Sequence, residues 1–181
     1  MKITAKQITT TAILLAICIV SQFFKNLSVY ITGPIINACL ILAVLSVGMV
    51  CAIILAVITP VTAFFISGSP IMAAIPAILP CVMIGNVILV LGVGLIMKKV
   101  KGNGGLIAGM AAGSVLKALF MGAVISLILI PNLIPEAMVP KMGVFQMTFS
   151  LTQLITAVIG SVYAFIIWIP LKKVMADGST K

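Results

Sequence analysis

Long apolar runs separated by short polar breaks set the pattern of this chain. A helix needs about 20 apolar residues to cross the hydrocarbon core of a bilayer. Lysine, glycine and proline divide the chain into predicted spans at residues 7–24, 34–46, 49–66, 73–97, 104–130 and 142–169. The break between spans two and three rests on Ser46 and Gly48. Span two is short, so an earlier start near Val29, before Pro34, stays open.

The pattern predicts an all-α transmembrane six-helix bundle, a single domain over residues 1–181. Composition agrees, since 63% of residues are hydrophobic and only 7% are charged. Soluble domains carry about 25% charged residues, so this chain lacks the charge to cover a water-facing surface. Pro60, Pro76 and Pro80 are expected to interrupt spans three and four, which frees backbone groups that membrane proteins tolerate where they line a cavity.

The distribution of lysines predicts the orientation in the membrane. With six spans, eight lysines fall on the side that holds both termini, and two fall on the other side. The eight are Lys2, Lys6, Lys98, Lys99, Lys101, Lys172, Lys173 and Lys181, and the two are Lys25 and Lys141. Positive loops mark the cytoplasmic side, so both termini are predicted to be cytoplasmic. Topology and attraction to anionic lipid account for the net charge of +9, so no nucleic-acid partner is expected.

The same composition argues against most catalytic chemistry. The chain has no histidine, and its only acids are Glu136 and Asp177, whereas acid–base catalysis and metal sites depend on such groups. The four cysteines lie in apolar stretches and are interpreted as buried apolar residues. We therefore expect no enzyme, no cofactor and no metal site. The chain also lacks a phosphate-binding G-x-x-x-x-G-K-[ST] loop, so it cannot hydrolyse ATP by that route.

Lys117 is the exceptional charge, because it lies near the centre of span five. A cationic side chain at that depth costs at least ~2.5–3.5 kcal/mol. Gly105, Gly109 and Gly113 precede it at four-residue steps, and small residues at that spacing form a helix-packing face. Lys117 should therefore point into the bundle, where a ligand carboxylate or phosphate, or helix C-terminal carbonyls, would balance it. The alternative is a lysine that snorkels or caps a broken helix.

Other polar residues fall at a similar depth and predict a cavity between the midplane and the outer surface. They are Asn37, Thr59, Thr62, Asn86, Gln146 and Gln153. Gln146, Ser150 and Gln153 follow the i, i+4, i+7 spacing of one helical face. Each alone is equally consistent with a polar bridge between helices. The loops 67–70 and 131–141 are candidates for a lid over a bound molecule.

Several local features occur together in this small bundle. They are Ala12-x-x-x-Ala16 in span one, Gly33-Pro34 with Asn37, Thr59-Pro60, Ile84-Gly85-Asn86 and Lys117. In this combination the whole chain resembles the substrate-binding (S) component of energy-coupling factor (ECF) transporters.

The resemblance implies a function that composition does not reveal. Such a component, in the cell membrane of a prokaryote, captures a vitamin or related micronutrient at the outer face. It docks through span one, here Ala12 and Ala16, onto a transmembrane coupling protein that sits on two ATPases. The resemblance also places Asn86, Lys117, Gln146 and Gln153 near the ligand. Few aromatic residues lie at this depth, so a small acidic vitamin such as pantothenate is favoured over a flat ring system held by stacking.

Two other functions stay open from the sequence. A stand-alone channel or facilitator would use Lys117 to line an anion-attracting pore. A non-transporting assembly subunit would use Lys117 only for packing. A membrane enzyme is disfavoured, because no nucleophile and base can be paired without histidine or membrane acids.

Overall fold

The computed structural model describes residues 4–24 and 28–177, and these residues form helices without strands. Six helices are long and apolar enough to cross a membrane, so the prediction of an all-α six-helix bundle is confirmed. The first three are α1 (Ala5–Gln22), α2 (Val29–Ser46) and α3 (Met49–Ser67). Three lysines used to predict the orientation, Lys2, Lys25 and Lys181, lie outside the described residues.

The second half of the chain is less regular. A short helix, α4 (Pro70–Ala74), precedes α5 (Ile78–Lys99). Span five consists of α6 (Asn103–Met121), a π-helix (Gly122–Leu129) and α7 (Ile130–Leu133). Span six follows a 3₁₀ helix (Glu136–Lys141) and consists of α8 (Met142–Phe149) and α9 (Leu151–Asp177).

Consecutive spans alternate in direction, which gives the bundle two ends. The terminal end holds the start of α1, the turn at 47–48, the loop at 100–102 and the end of α9. The distal end holds the connections after α1, α3 and α7. At the turn, Gly48 has a φ of 93°, a left-handed conformation that glycine adopts without a steric cost. This confirms the break between spans two and three, and α2 starts at Val29, the earlier of the two expected starts.

The prolines do not all act as the sequence predicts. Pro76 does break the chain, between α4 and α5. Pro80 lies in the first turn of α5, where the missing N–H has no intrahelical acceptor. Pro60 lies inside α3, which continues to Ser67, so the prediction that it interrupts span three is wrong. The carbonyl that Pro60 leaves without a helical donor is bonded from a neighbouring helix, as described below.

Span six is also not the continuous helix that the spacing predicts. Ser150, with φ −117° and ψ −91°, separates α8 from α9. The predicted common face of Gln146, Ser150 and Gln153 is therefore wrong, because the helical phase does not carry across Ser150. Gln146 and Gln153 point into different parts of the molecule.

Glycines let the central helices approach closely. A Cβ atom placed on Gly113 would lie 2.9 Å from the Leu89 carbonyl oxygen, so α6 packs directly on α5. A Cβ on Gly160 would lie 2.7 Å from Asn37 Cβ, so α9 packs directly on α2. The predicted small-residue face of span five is confirmed, since Gly105, Gly109, Gly113 and Lys117 are all buried on it.

Two apolar clusters fill the bundle. The larger cluster occupies the terminal half and includes Leu40, Leu55, Leu89, Val93 and Leu106. The smaller one closes the distal end and includes Ile71, Ile78, Met121, Ile125 and Phe149. Cys18, Cys39 and Cys51 are buried free thiols, in agreement with their interpretation as apolar residues. A polar cavity lies between the two clusters.

Candidate functional site: a cavity around a buried lysine

The cavity has a volume of about 260 Å³ and is lined by five of the six spans and by α4. Ligand pockets in proteins typically occupy roughly 300–1,000 Å³, so this cavity has room for a small molecule only. Its polar lining residues are Thr32, Asn37, Thr59, Ser69, Asn86, Lys117, Thr148 and Gln153. Three of them share one depth: Asn37 and Asn86 follow the starts of α2 and α5 by eight residues, and Thr59 precedes the end of α3 by eight. That spacing is about 12 Å from the distal end.

Lys117 forms one wall of the cavity and is only 3% exposed. Its ammonium group donates a hydrogen bond of 2.6 Å to Asn37 Oδ1 and one of 2.8 Å to Asn86 Oδ1. Gly85 lies against the same helix, since a Cβ there would come within 2.8 Å of the Met121 side chain, one turn after Lys117. Three helices thus meet at one ammonium group. The alternative of a lysine that snorkels to the membrane surface is incompatible with this geometry.

The orientation of Asn86 follows from Pro60. A proline has no N–H, so Pro60 cannot donate to the carbonyl of Ala56, four residues earlier in α3. Asn86 Nδ2 on α5 lies 3.4 Å from that carbonyl oxygen and donates to it, at the long end of the hydrogen-bond range. Because Nδ2 faces α3, the other end of the amide, Oδ1, faces Lys117.

Asn37 is held from behind by the backbone of α9. Gly160 lies directly against the asparagine, and a Cβ there would also come within 2.7 Å of the Pro34 carbonyl oxygen. The side chain of Asn37 is 2% exposed. Close packing of α2 on α9 therefore directs Asn37 toward Lys117, and a larger residue at Gly160 would push it out of place.

Thr59 connects the end of α1 to the cavity wall. Its carbonyl oxygen accepts a hydrogen bond of 3.1 Å from Gln22 Nε2, in the last turn of α1. Thr32, also in the lining, donates from Oγ1 to the Ser21 carbonyl oxygen over 3.0 Å. Thr59 Oγ1 and Gln22 Oε1 are buried, and within the described residues neither has a hydrogen-bond partner. The end of α1 is therefore attached to two walls of the cavity.

The cavity carries a positive charge that this chain does not neutralise. Among the described residues, Lys117 is the single charged residue in the lining, and the whole chain has only two acids. Glu136 is exposed in the 3₁₀ helix, and Asp177 is the last residue of α9. Asn37 and Asn86 supply acceptor oxygens but no charge. The arrangement is suited to a bound anion in a water-poor environment, where charge attraction is strong.

Helical segments cover the distal side of the cavity. Ile71 and Met72 of α4 and Phe145 and Phe149 of α8 form this cover. Three of them belong to the distal apolar cluster, and Phe145 packs against it. Of the two loops predicted to form a lid, 67–70 contributes Ser69 to the lining, whereas no residue of 131–141 lies there. The cover is thus built from α4 and α8 more than from loops.

The structure brings together five of the seven predicted ligand-site residues. Asn37, Thr59, Asn86, Lys117 and Gln153 line the cavity. Thr62 lies outside the lining, and its hydroxyl donates to the Thr59 carbonyl oxygen. Gln146 also lies outside the lining, because the break at Ser150 turns it away.

Gln146 instead joins α8 to the π-helix. Its Nε2 donates to the Ser126 carbonyl oxygen over 2.9 Å, and Ser126 Oγ donates back to the Gln146 carbonyl oxygen over 2.8 Å. The pair fixes α8, and with it the cover of the cavity, against span five.

Sequence reasoning missed several residues of the site. Thr32 and Thr148 line the cavity, and Gln22 supports it from α1. Thr32 directly precedes Gly33-Pro34, and Ser21-Gln22 is a polar pair at the end of an apolar run, so both left a weak signal. Thr148 left none, since the predicted helical phase of span six placed it on another face.

The small-residue stripe of α1 faces away from the bundle. Ala12 and Ala16 are exposed, as are Ala5 and Thr9. Among the six spans, α1 is the least buried in the bundle. Its surface is thus free of contacts with the described part of this chain at these positions.

Comparison with models of known protein families, with curated proteins and with solved structures gives no match to this chain.

Proposed function

We propose that this protein is a membrane-embedded, high-affinity binding subunit for the uptake of a small anionic vitamin or related micronutrient. The observation that carries the proposal is Lys117, a buried ammonium group in a cavity where the other polar groups supplied by the described residues are neutral. A buried charge in a membrane protein marks a functional site by default. The counter-charge comes from the ligand, because this chain has no acid near it.

The apolar packing on the terminal side of the cavity favours a binding protein over a channel. On the terminal side of Lys117 the interior is filled by the larger apolar cluster, which includes Leu89, Val93 and Leu106 with exposures of 2% or less. A channel for a polar solute needs polar or charged groups along its path. The cavity is closed on that side, as in a pocket that holds its ligand until the bundle rearranges.

Uptake against a gradient requires a partner that supplies energy. The chain has no phosphate-binding loop and no carboxylate among the cavity residues to carry a coupling ion. We propose that the partner is an energy-coupling module of a transmembrane coupling protein and two ATPases. The exposed face of α1 with Ala12 and Ala16 is the docking surface, because small residues let another helix approach closely.

The proposed location is the cell membrane of a prokaryote, with both termini in the cytoplasm and the cavity in the outer half of the bundle, beneath the cover formed by α4 and α8. The lysine bias between the two sides supports this orientation. Fusions test it directly: green fluorescent protein at the C-terminus should fluoresce, and alkaline phosphatase inserted after Val139 should be active. The opposite pattern would place the cavity on the cytoplasmic side and exclude uptake by this route.

Ligand release from the purified protein tests the function itself. Mass spectrometry of small molecules freed by denaturation should identify an anionic micronutrient, and adding that compound back should raise the melting temperature. Transport into vesicles should require the coupling module and ATP. Flux with the purified protein alone would instead identify a facilitator. A stable complex with partners, without bound solute or solute effect, would identify an assembly subunit.

A further inference from the structure

The charge of the cavity limits the charge of its ligand. Lys117 provides one positive charge, and no other ionisable residue within 4–24 and 28–177 lines the cavity. A ligand with one negative charge makes the occupied site neutral. A dianion such as a phosphate monoester would leave an uncompensated negative charge in a buried site, which proteins avoid.

The floor of the cavity offers hydrogen-bond donors to a carboxylate. An ammonium group has three N–H donors, and two of those on Lys117 are used for Asn37 and Asn86. One N–H of Lys117 is thus left for an anion, together with the two N–H groups of the Asn37 amide. These donors are enough for the two oxygens of a carboxylate.

Two threonines of the cavity wall, Thr32 and Thr148, have the opposite hydrogen-bonding character. Thr32 and Thr148 each use their hydroxyl hydrogen on a backbone carbonyl oxygen, of Ser21 and Val144 respectively. A hydroxyl has one hydrogen, so both threonines present only acceptor lone pairs to the cavity. A ligand that satisfies these acceptors carries hydroxyl or N–H donors on its body.

The remaining lining of the cavity is apolar, and it favours a ligand with a carbon framework. Ile36, Pro60, Val82, Phe145 and Phe149 contribute carbon atoms to the wall. A simple inorganic anion would leave this surface without contacts. The ligand therefore has an organic body of a size that fits a cavity of about 260 Å³.

We infer that the ligand is a monocarboxylate whose body carries neutral hydrogen-bond donors, with its carboxylate on Lys117 and its donors toward Thr32 and Thr148. This inference rests on the proposed binding function and narrows it to one chemical class. It separates such acids from neutral analogues, from phosphorylated compounds and from fatty acids without donors.

Matched pairs of probes test the class with the purified full-length protein, stripped of bound molecules. The pairs are pantothenate and pantothenol, biotin and biotinamide, and 4-aminobenzoate and 4-aminobenzamide. Octanoate is the acid without donors, and 4′-phosphopantothenate and pyridoxal phosphate are the phosphorylated probes. The acid of one pair should raise the melting temperature of the protein. Its affinity should be at least about tenfold higher than that of its neutral partner and of the other probes.

A variant of the wall tests the acceptor role. Thr148→Val keeps the shape of the side chain and removes the acceptor, so the donor-bearing acid should bind about fivefold more weakly, the value of one hydrogen bond. Octanoate binding should be unchanged. Thr9→Val, on the exposed face of α1, is the matched control and should alter neither.

The outcomes separate this inference from the proposed function. Preferential binding of a neutral or phosphorylated probe, or release of such a compound from the purified protein, would overturn the inference and leave the binding function standing. The inference is also overturned, with the binding function still standing, if Thr148→Val weakens the binding of octanoate and of the donor-bearing acid equally. If no compound is released and none of the probes shifts the melting temperature, the binding function itself fails, and the inference fails with it.

Discussion

Asn86 accepts a hydrogen bond of 2.8 Å from the ammonium group of Lys117 and has no charge to offer it. The two residues lie 31 positions apart on adjacent helices, α5 and α6. A neutral amide stabilises the lysine in the bundle but leaves its positive charge in place for a ligand. Ligand affinity should therefore respond to the exchange of the amide nitrogen of Asn86 for an oxygen.

Replacing Asn86 with aspartate would supply the missing counter-charge from within the protein. Asn86→Asp places a carboxylate oxygen at hydrogen-bond distance from Lys117, and the pair attracts strongly in a buried site. Aspartate also loses the Nδ2 hydrogen bond to the Ala56 carbonyl oxygen, which offsets the ion pair. The melting temperature of the ligand-free protein should therefore change little, while affinity for the ligand falls about tenfold or more. Melting curves and isothermal titration measure the two effects.

The matched control is Asn103→Asp, at the exposed start of α6. It adds the same charge to the chain without approaching the cavity, so ligand affinity should not change. If Asn86→Asp retains full affinity, Lys117 is not the group that binds the anion.

Removing the charge of Lys117 should weaken ligand binding without unfolding the protein. Lys117→Met relieves a membrane-burial cost of at least ~2.5 kcal/mol but leaves two amide oxygens unpaired, at about 1–3 kcal/mol each. These effects offset, so the melting temperature of the ligand-free protein should move little. Affinity should fall about tenfold or more, measured by titration.

Lys141→Met serves as the control, because Lys141 is exposed at the distal end. It should bind ligand like the unmodified protein. Equal affinity of Lys117→Met and Lys141→Met would reduce Lys117 to a packing residue.

Replacing Pro60 with alanine is expected to raise stability and to lower ligand affinity. Pro60→Ala restores the N–H that can donate to Ala56, which stabilises α3 by up to about 3 kcal/mol. The restored helical bond competes with Asn86 Nδ2 for that carbonyl and loosens the amide that faces Lys117. Melting temperature should rise while affinity falls about fivefold, the value of one hydrogen bond.

Pro170→Ala is the comparison, since Pro170 also lies inside a helix, α9, and is exposed. It should raise stability without changing affinity. A fall in affinity for both variants would trace the effect to helix rigidity in general and not to Asn86.

The contact of α9 with Asn37 predicts a steric defect. In Gly160→Ala the new Cβ meets Asn37 Cβ and the Pro34 carbonyl oxygen at 2.7 Å. Overpacking of this kind costs roughly 1–3 kcal/mol, so the melting temperature should fall, and displacement of Asn37 should weaken ligand binding. Thermal unfolding and titration of the same sample measure both.

Gly104→Ala is the matched control, because nothing lies within 4 Å of a Cβ at that position. Alanine also has the higher helix propensity, by up to about 1 kcal/mol, so this variant should be as stable as the original or more so. If Gly104→Ala also loses stability, the destabilisation by Gly160→Ala does not come from the contact with Asn37 but from replacing a helical glycine in general.

Much of the site was visible in the sequence because the bilayer makes polar residues conspicuous. Lys117, Asn86, Asn37 and Thr59 stand out in apolar runs, and all four line the cavity. Such residues are costly in a membrane and so are kept inside the bundle. Their depth follows from counting residues along each helix.

Two of the wrong predictions depend on how real helices depart from, or keep, the ideal geometry. Gln146 and Gln153 share a face only if the helix is continuous, and Ser150 breaks it. Pro60 was expected to break α3, but a side chain from another helix bonds the carbonyl that it frees. Neither outcome is visible locally, because each depends on atoms distant along the chain.

The sequence by itself determined the six spans, their helical nature and the burial of Lys117, because length, hydropathy and the cost of a membrane-buried charge are properties of the chain and its solvent. Only the tertiary structure decided what surrounds that charge. The two amide oxygens on Lys117, the bond from Asn86 to α3, and the attachment of Gln22 and Ser21 to the cavity wall all come from residues on different helices. Which helices adjoin, and in what rotation, is set by close packing at Gly113 and Gly160, and a pattern of hydrophobic positions does not specify it.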